Sequence, residues 1–492
     1  MSRGPVVSDA AGLRVAWLVE QFPAWSETFV LRQLAGLIDR GVDVTILALR
    51  RGPAGVGNAS TESSTSSEVG GGGDTHVWLR RYQLMDRVRY APAIGGGSGM
   101  RGGMGGETRG GAVVAELRAG GWRDGAGRLR RSLVPGASAA RWGRRAWTLR
   151  PFVESGICRG LPRFDVVVAT YGPLGVAAAE WRDRGWLEAG ALLTFFRGYD
   201  VGRVLRHRPG RYRRLFAEPP TGGEKFLAVS EDLAATLRRA GCPAARLGVL
   251  RGGVDLRGGV DLPPPTLESG RPVRLLSACR LVEKKGLATA LAALERLAAA
   301  GHAFEYEVVG DGPLRAGLIR DAQRRGLAER VRFVGWKNQA AVREALTRCH
   351  VLLCPSQTAA DGDREGFPNI IKEAMAMRRP VVATRHGGVP EAITDGVSGR
   401  LVPERDPAAL ATALGQLIDQ PHGWAPLTHA ARQRVEAMFD LETLNDELAR
   451  VLVQLAQPGG STGDCTMASH CESQNVQRDS QEHVEFEGGR LG

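Results

Sequence analysis

Apolar residues recur along this chain in two alternating rhythms. Short runs of Val, Leu, Ile and Phe are separated by longer Ala/Leu-rich stretches whose apolar positions return every third or fourth residue. The first rhythm fits strands buried on both faces, the second helices with one buried stripe. In the first half the pattern predicts strands at Leu13–Val19, Val42–Leu49, Asp165–Thr170, Ala191–Phe196, Phe226–Val229 and Leu247–Leu250. Helices are predicted at Thr28–Arg40 and Glu231–Ala240. The rhythm pauses at Asp261–Pro272, where Pro263, Pro264 and Pro265 extend neither a helix nor a central strand. It resumes with strands at Val273–Ala278, Glu305–Val309, Val331–Val334, Val351–Cys354 and Val381–Thr384. Between them helices are predicted at Leu287–Ala300, Leu314–Arg325, Ala340–Arg348 and Asn369–Met377. A last amphipathic helix, Ala430–Leu455, is long enough to pack back across the hinge.

Strands alternating with helices imply parallel sheets in an α/β fold. The expected organisation is an N-terminal α/β domain over residues 1–262 and a C-terminal one over 272–456. A cleft between two such domains is the default ligand site. Residues 52–73 and 95–127 are Gly-rich insertions into the first domain, and 457–492 is a polar tail, all expected to be flexible or disordered.

The 492 residues suffice for two or three domains. Lys and Arg number 65 against 53 acids, a formal charge of +12. The excess is lopsided: residues 1–260 hold 38 basic and 23 acidic side chains (+15), leaving 27 and 30 (−3) for the rest. An anionic partner is expected for the first half. No apolar run approaches the length that spans a bilayer, and Met1–Ala10 lacks the apolar core of a secretory signal. Seven cysteines without a C-x-x-C pair suit buried thiols in a reducing cytoplasm.

Four loops carry candidate chemistry. Glu365-Gly366-Phe367-Pro368-Asn369-Ile370-Ile371-Lys372-Glu373 joins a strand to a helix. Pro368 suits the helix start, with Glu365 just before it and Glu373 one turn inside. A diphosphate at that helix start would meet free N–H groups between two carboxylates able to accept hydroxyl hydrogen bonds. In Ser277–Gly286 a buried strand ends and Arg280 and Lys285 follow, cations where open α/β sheets bind ligands. They suit a diphosphate leaving group, and as loop charges they are expected to contribute little to stability. His386-Gly387-Gly388-Val389-Pro390-Glu391 puts two glycines where backbone can approach a ligand, ahead of a short helix. Gly310-Asp311-Gly312-Pro313 follows a strand, but Gly317 lies too far along for a dinucleotide fingerprint.

Together these loops resemble the C-terminal domain of family 4 glycosyltransferases, retaining enzymes of the GT-B fold with two facing Rossmann-like domains. The first half adds Phe22-Pro23-Ala24-Trp25-Ser26-Glu27-Thr28-Phe29, Arg197-Gly198-Tyr199-Asp200, Ala228-Val229-Ser230 and Gly253-Val254-Asp255. The Ser-Glu-Thr-Phe start and Ala359–Asp363 are most similar to the branch that builds colanic acid, amylovoran and related exopolysaccharides. The resemblance implies a nucleotide-sugar donor and a glycan or lipid-linked acceptor; no metal or other cofactor is expected, since Arg280, Lys285 and the helix start near Glu365 supply the positive field a metal would provide. The resemblance further implies that Glu365 contacts the donor sugar, Glu373 the ribose, and Arg280 with Lys285 the diphosphate. Gly366, Phe367, Pro368, Asn369, Gly387, Gly388, Glu391, Gly310 and Gly312 fall at donor-side positions. Relatives often carry His where this chain has Arg197, a residue able to bind phosphate or an acidic sugar but not to shuttle a proton. It stays a candidate catalytic residue beside a structural alternative.

Asp361-Gly362-Asp363 matches a D-x-D metal signature of another fold and is read as a polar loop. Cys465, His470 and Cys471 lack a fourth zinc ligand. Arg128–Arg150 holds seven Arg, Trp142 and Trp147 and no acid, which suits an anionic membrane surface. The expectation is a cytoplasmic transferase, peripheral on the inner face of the membrane. The alternatives are a nucleotide-sugar epimerase or hydrolase of the same fold, or a basic nucleic-acid-binding protein, the latter disfavoured.

Overall fold

Each strand of the first sheet finds a parallel neighbour. The computed structural model describes residues 10–24, 27–52, 78–91, 156–219, 222–257, 262–268 and 270–457. Expectations for 53–73, 95–127, Arg128–Arg150 and the tail from 458 onward lie outside these residues, as do Trp25 and Ser26. The first sheet comprises β1 (Arg14–Phe22), β2 (Asp43–Arg51), β3 (Val88–Tyr90), β4 (Phe164–Ala169), β5 (Ala189–Phe196), β6 (Lys225–Ala228) and β7 (Leu247–Val249). Their order is β3-β2-β1-β4-β5-β6-β7. The second comprises β8 (Val273–Ala278), β9 (Phe304–Val309), β10 (Val331–Gly335), β11 (Val351–Cys354), β12 (Val381–Thr384) and β13 (Arg400–Val402), in the order β10-β9-β8-β11-β12-β13. Strand order reverses between β1 and β4 and between β8 and β11, so each sheet has a ligand crevice at the carboxyl ends of those strands.

The apolar runs are continuous because both faces of each sheet are covered. Along β1, Val15, Trp17 and Val19 enter one core while Ala16 and Leu18 enter another. Along β11, Val351 and Leu353 alternate with Leu352 and Cys354 in the same way. The helices that matter here are α1 (Thr28–Ile38), α2 (Gly172–Asp183), α3 (Gly202–His207), α4 (Glu231–Arg239), α5 (Leu287–Ala299), α6 (Arg315–Arg324), α7 (Gln339–Arg348), α8 (Asn369–Ala376), α9 (Val389–Ala392), α10 (Pro407–Asp419), α11 (Trp424–Met438) and α12 (Leu441–Ala456). Neither of the three-residue strands β3 and β13 is expected from the sequence. Nor is α2, because glycine and alanine fill much of its length.

Among the described residues the chain passes between the domains twice, at one place. Leu250 belongs to the first core and Val254 to the second. The Val254 N–H donates to the Phe439 carbonyl at 2.8 Å and the Leu441 N–H to the Val254 carbonyl at 3.1 Å. Leu262 packs on the second core, and the Pro263 carbonyl accepts from Arg379 at 3.4 Å, so the proline stretch runs along the second domain.

The single helix expected at 430–455 is two. Phe439 is fully buried in the second core, and Asp440 caps α12 by accepting from the Thr443 N–H at 3.0 Å. The break lets α11 bury Ala431 and Val435 in the second domain while α12 buries Leu448, Val451 and Leu452 in the first. Arg40 locks α12 in place, donating to Asp446 at 2.7 Å and to the Glu442 carbonyl at 2.9 Å. Gly36 faces Asn445 so closely that a Cβ there would collide with the Asn445 side chain.

Leu452→Ala removes fully buried methyl groups contributed by the last helix to the first domain's core. The expected loss is about 2–5 kcal/mol, read from the midpoint of urea unfolding followed by circular dichroism. An unchanged midpoint would mean that α12 is not part of that core.

Candidate functional site

β8 ends at Ala278, and the chain makes a short 3₁₀ turn, Glu283–Lys285, before α5. β11 ends at Cys354, and the following loop runs to α8. These strands flank the reversal in the second sheet, so their loops converge. Glu365 is only 9% exposed. Its carboxylate pairs with Lys285 at 3.0 Å and with Lys284 at 3.3 Å. Burial by itself would raise the carboxyl, but the two ammonium groups outweigh it and hold it near 2. Lys285 is half-buried, its side chain 17% exposed; desolvation opposes its charge, and the Glu365 carboxylate overrides that and raises it above the usual lysine range. Lys285 is therefore not the loop-surface charge the sequence suggests. Arg280 is: it is exposed and has no side-chain partner among the described residues.

The backbone of Glu365 is fixed as firmly as its side chain. Its N–H donates to His386 Nε2 at 3.0 Å, and His386 Nδ1 meets Glu404 Oε1 at 2.5 Å. Glu404 accepts in turn from the Thr358 N–H at 2.7 Å. His386 is thus held in the tautomer that carries its proton on Nδ1.

The glycines serve loop-to-loop contact. A Cβ on Gly366 would collide with the Arg197 carbonyl, and one on Gly198 would lie 2.8 Å from the Gly366 nitrogen. Gly388 would meet Ser230 Cβ at 2.7 Å, and Gly387 (φ 53°) would meet the Glu365 carbonyl at 2.5 Å. Gly310 and Gly312 seat their loop on the Cys279–Leu281 segment, with Leu281 N–H donating to the Asp311 carbonyl at 2.9 Å. The two domains therefore touch at their carboxyl edges, backbone to backbone.

Pro368 stands immediately before α8, and Asn369 begins it. Glu373, one turn in, uses Oε1 to accept from Gln339 at 3.0 Å and from Arg32 of α1 at 3.4 Å. Among the described residues its Oε2 has no donor and is not sealed from solvent. Lys372 is fully buried; it donates to the Gly252 carbonyl at the domain crossing, 2.6 Å away, and its ammonium lies 4.6 Å from the centre of the Phe367 ring. Burial, more than the neighbouring charges, lowers it to about 7; Arg32, Arg197 and Arg251 lower it further while Glu373 opposes them. The Phe367 ring lies tilted against that of Phe439, with centroids 5.2 Å apart.

Arg197 lies on the first-domain side. Its guanidinium sits between the Phe29 and Phe195 rings at 4.3 and 4.4 Å. It donates to the Thr170 carbonyl at 3.2 Å and to Gln33 at 2.8 Å, and no carboxylate pairs with it among the described residues. Burial brings it down to about 10. Nearby, Tyr171 donates to Glu27 at 2.8 Å. Glu391, expected on the donor side, reaches across the domain boundary: it pairs with Arg251 at 2.9 Å and accepts from the Asp232 N–H at 3.3 Å. Asp361 pairs with Arg203 and Asp363 with Lys284, each at 3.1 Å. Among the described residues no three His, Cys, Asp or Glu converge as metal ligands.

Sequence reading missed Lys284, Arg32, Gln339, Lys372, Arg251 and the His386–Glu404 pair. Adjacency to Lys285 was a signal for Lys284, and the place of His386 before two glycines was one for His386. Nothing local marks Arg32 or Glu404.

Residues 272–420 match the family model described as glycosyl transferases group 1. The chain is 34% identical over 449 residues to the putative colanic acid biosynthesis glycosyltransferase WcaL of Escherichia coli K12, covering 90% of this chain and 100% of that one. It is 32% identical over 459 residues to the amylovoran biosynthesis glycosyltransferase AmsK of Erwinia amylovora, again covering 90% and 100%. Among solved structures, HepE of Anabaena in complex with UDP and glucose superposes with a TM-score of 0.59 at 17% identity, over 89% of this chain and 99% of that one. The lipopolysaccharide outer core galactosyltransferase WaaB does so with 0.54 at 15%, over 89% and 99%. These neighbours share the GT-B fold of two Rossmann-like domains.

Lys372 gives the site a pH signature. Between about 7 and its ordinary 10.5 the unfolded chain binds more protons at this residue than the folded one does. Its contribution to stability therefore rises with pH across that window. Thermal melts from pH 6.5 to 9 should show this rise in the wild type and a flatter profile in Lys372→Met. Parallel profiles would mean that Lys372 keeps its charge throughout.

Proposed function

The chain belongs to the family 4, group 1 glycosyl transferases of the GT-B fold, and from that footing we propose that it moves a sugar from a nucleoside-diphosphate sugar held by the second domain to a glycan or lipid-linked acceptor held by the first. The product belongs to exopolysaccharide or another cell-surface glycan. The observation that carries this reading is the buried Glu365 carboxylate, ionised between Lys284 and Lys285 at the carboxyl edge of the second sheet, directly against the Arg197 segment of the first.

The chemistry follows from the charges. As the bond between the anomeric carbon and the diphosphate oxygen breaks, positive charge grows on the sugar and negative charge on the leaving diphosphate. Arg280 and Lys285 neutralise the second, and their value is greatest in the transition state. Glu365 accepts hydrogen bonds from the sugar hydroxyls and offsets the first. Glu373 keeps Oε2 open for a ribose hydroxyl while Gln339 and Arg32 hold Oε1. Trp336, 47% exposed just beyond β10, offers a face for the nucleobase. The acceptor hydroxyl approaches from the first domain, past Arg197 and Glu27, and attacks the face the diphosphate leaves, so the anomeric configuration is retained.

The test is release of nucleoside diphosphate with and without acceptor. UDP-glucose is the first donor to try, since the HepE neighbour was solved with UDP-glucose. Acceptor-dependent UDP release supports the transferase; release that needs no acceptor would indicate a hydrolase, and a changed sugar without release an epimerase. The same rate is expected in EDTA, because the lysines and Arg280 supply the positive field; loss rescued by Mg²⁺ or Mn²⁺ would give Asp361 and Asp363 a metal.

Arg280→Ala and Lys285→Ala should each lower turnover by about 10²-fold or more, by analogy with removal of one transition-state donor. They should differ in stability. Arg280→Ala melts like the wild type, whereas Lys285→Ala leaves part of the Glu365 charge uncompensated and melts earlier. Wild-type turnover in both variants would move the diphosphate elsewhere. Glu373→Ala should weaken donor binding in calorimetry more than it slows turnover.

A further inference from the structure

A cavity of about 400 Å³ opens on the amino edge of the second sheet, behind the crevice. Its walls include Arg274 on β8, His350 just before β11, Arg379 just before β12, and Arg271, with Pro265 and Thr266 from the proline stretch. Three guanidinium groups thus converge on one space. The single carboxylate on the walls, Glu268, is spent on Arg271 at 3.5 Å, where both side chains are exposed.

Arg379 is 5% exposed, yet its Nε has no partner among the described residues. Its Nη2 makes only a 3.4 Å contact with the Pro263 carbonyl. Arg274 donates through Nε to the Arg348 carbonyl at 2.7 Å, and its terminal nitrogens have no partner among the described residues. His350 adds no compensating charge: its Nδ1 accepts from the Arg274 N–H at 3.0 Å, and burial with the flanking arginines lowers it to about 4. Buried donors are normally paired, and clustered cations repel unless an anion lies between them. Planar guanidinium forks match the paired oxygens of phosphate. The cavity is larger than inorganic phosphate needs and reaches the lower range of metabolite sites.

We propose that this cavity is a second anion site that binds a phosphate monoester through Arg274, Arg379 and Arg271, and that it is separate from the donor site. It communicates with the crevice along α8. The Arg379 N–H donates to the Ala374 carbonyl at 2.9 Å in the last turn of that helix, whose first turns carry Asn369 and Glu373. A ligand gripping Arg379 therefore bears on the helix that presents Glu373.

The experiment is calorimetric titration of the full chain with inorganic phosphate and with glucose 1-phosphate, at ionic strength held constant by NaCl. Saturable binding is expected, tighter for glucose 1-phosphate. It should weaken at least 10-fold in Arg274→Ser and in Arg379→Met and be unchanged in Arg280→Ser. Arg274 is exposed at the sheet edge, so its variant keeps the test decisive even where Arg379→Met fails to fold. A third arm uses vesicles carrying phosphatidic acid: Arg274-dependent binding to vesicles with none to glucose 1-phosphate makes the monoester a lipid headgroup, and the reverse makes it a soluble metabolite. Absence of saturable binding in every arm, equal affinity in Arg274→Ser, or loss in Arg280→Ser alone would overturn the proposal.

Discussion

The two domains meet where there is no room for a side chain. Gly366 lies against the carbonyl of Arg197, Gly198 against the nitrogen of Gly366, and Gly388 against Ser230. Any Cβ at these places pushes the carboxyl edges of the sheets apart, and with them the loops that the strand order brings to those edges. The ion pairs across the boundary, Arg251–Glu391 at 2.9 Å and Arg364–Asp232 at 3.1 Å, form only because the backbones are already this close. The same closeness buries Glu365 and Lys372 and so generates the shifted charges of the crevice.

Burial of that kind is costly unless each charge is answered. Glu365 is answered twice, by Lys284 and Lys285, and the result is a carboxylate that stays ionised throughout the physiological range. Lys372 is answered by a carbonyl and an aromatic face rather than by an acid at ion-pair distance, and its charge is correspondingly weakly held. Arg197 is held by carbonyl and amide oxygens and two rings, with no carboxylate paired to it among the described residues.

The last helices hold this geometry. The chain leaves the first domain at Leu250 and re-enters it after Asp440, and hydrogen bonds between Val254 and Phe439–Leu441 tie the two crossings together. Rotation of one domain on the other therefore bends two adjacent strands of chain, with Lys372 bonded to Gly252 at the pivot. Phe367 and Glu373 flank this crossing, Phe367 against Phe439 and Glu373 against Arg32 of the first domain.

The amino-acid sequence by itself determined the strand–helix alternation, the parallel α/β class and the loops at 277–286, 365–373 and 386–391. It could do so because strands covered on both faces carry near-continuous apolar runs, and because capping and close approach demand particular residues within a few positions of one another. Tertiary structure decided the rest. Arg32 and Glu373 are 341 residues apart, and no local pattern marks their contact. The apolar stripe of residues 430–455 continues across Phe439, and only the divergence of two cores, each drawing on its own half, turns one apparent helix into two. Whether a lysine in Glu283-Lys284-Lys285 faces water or a carboxylate depends on what β11 brings beside it. Side-chain type is written locally; burial and charge pairing are properties of the assembled sheets.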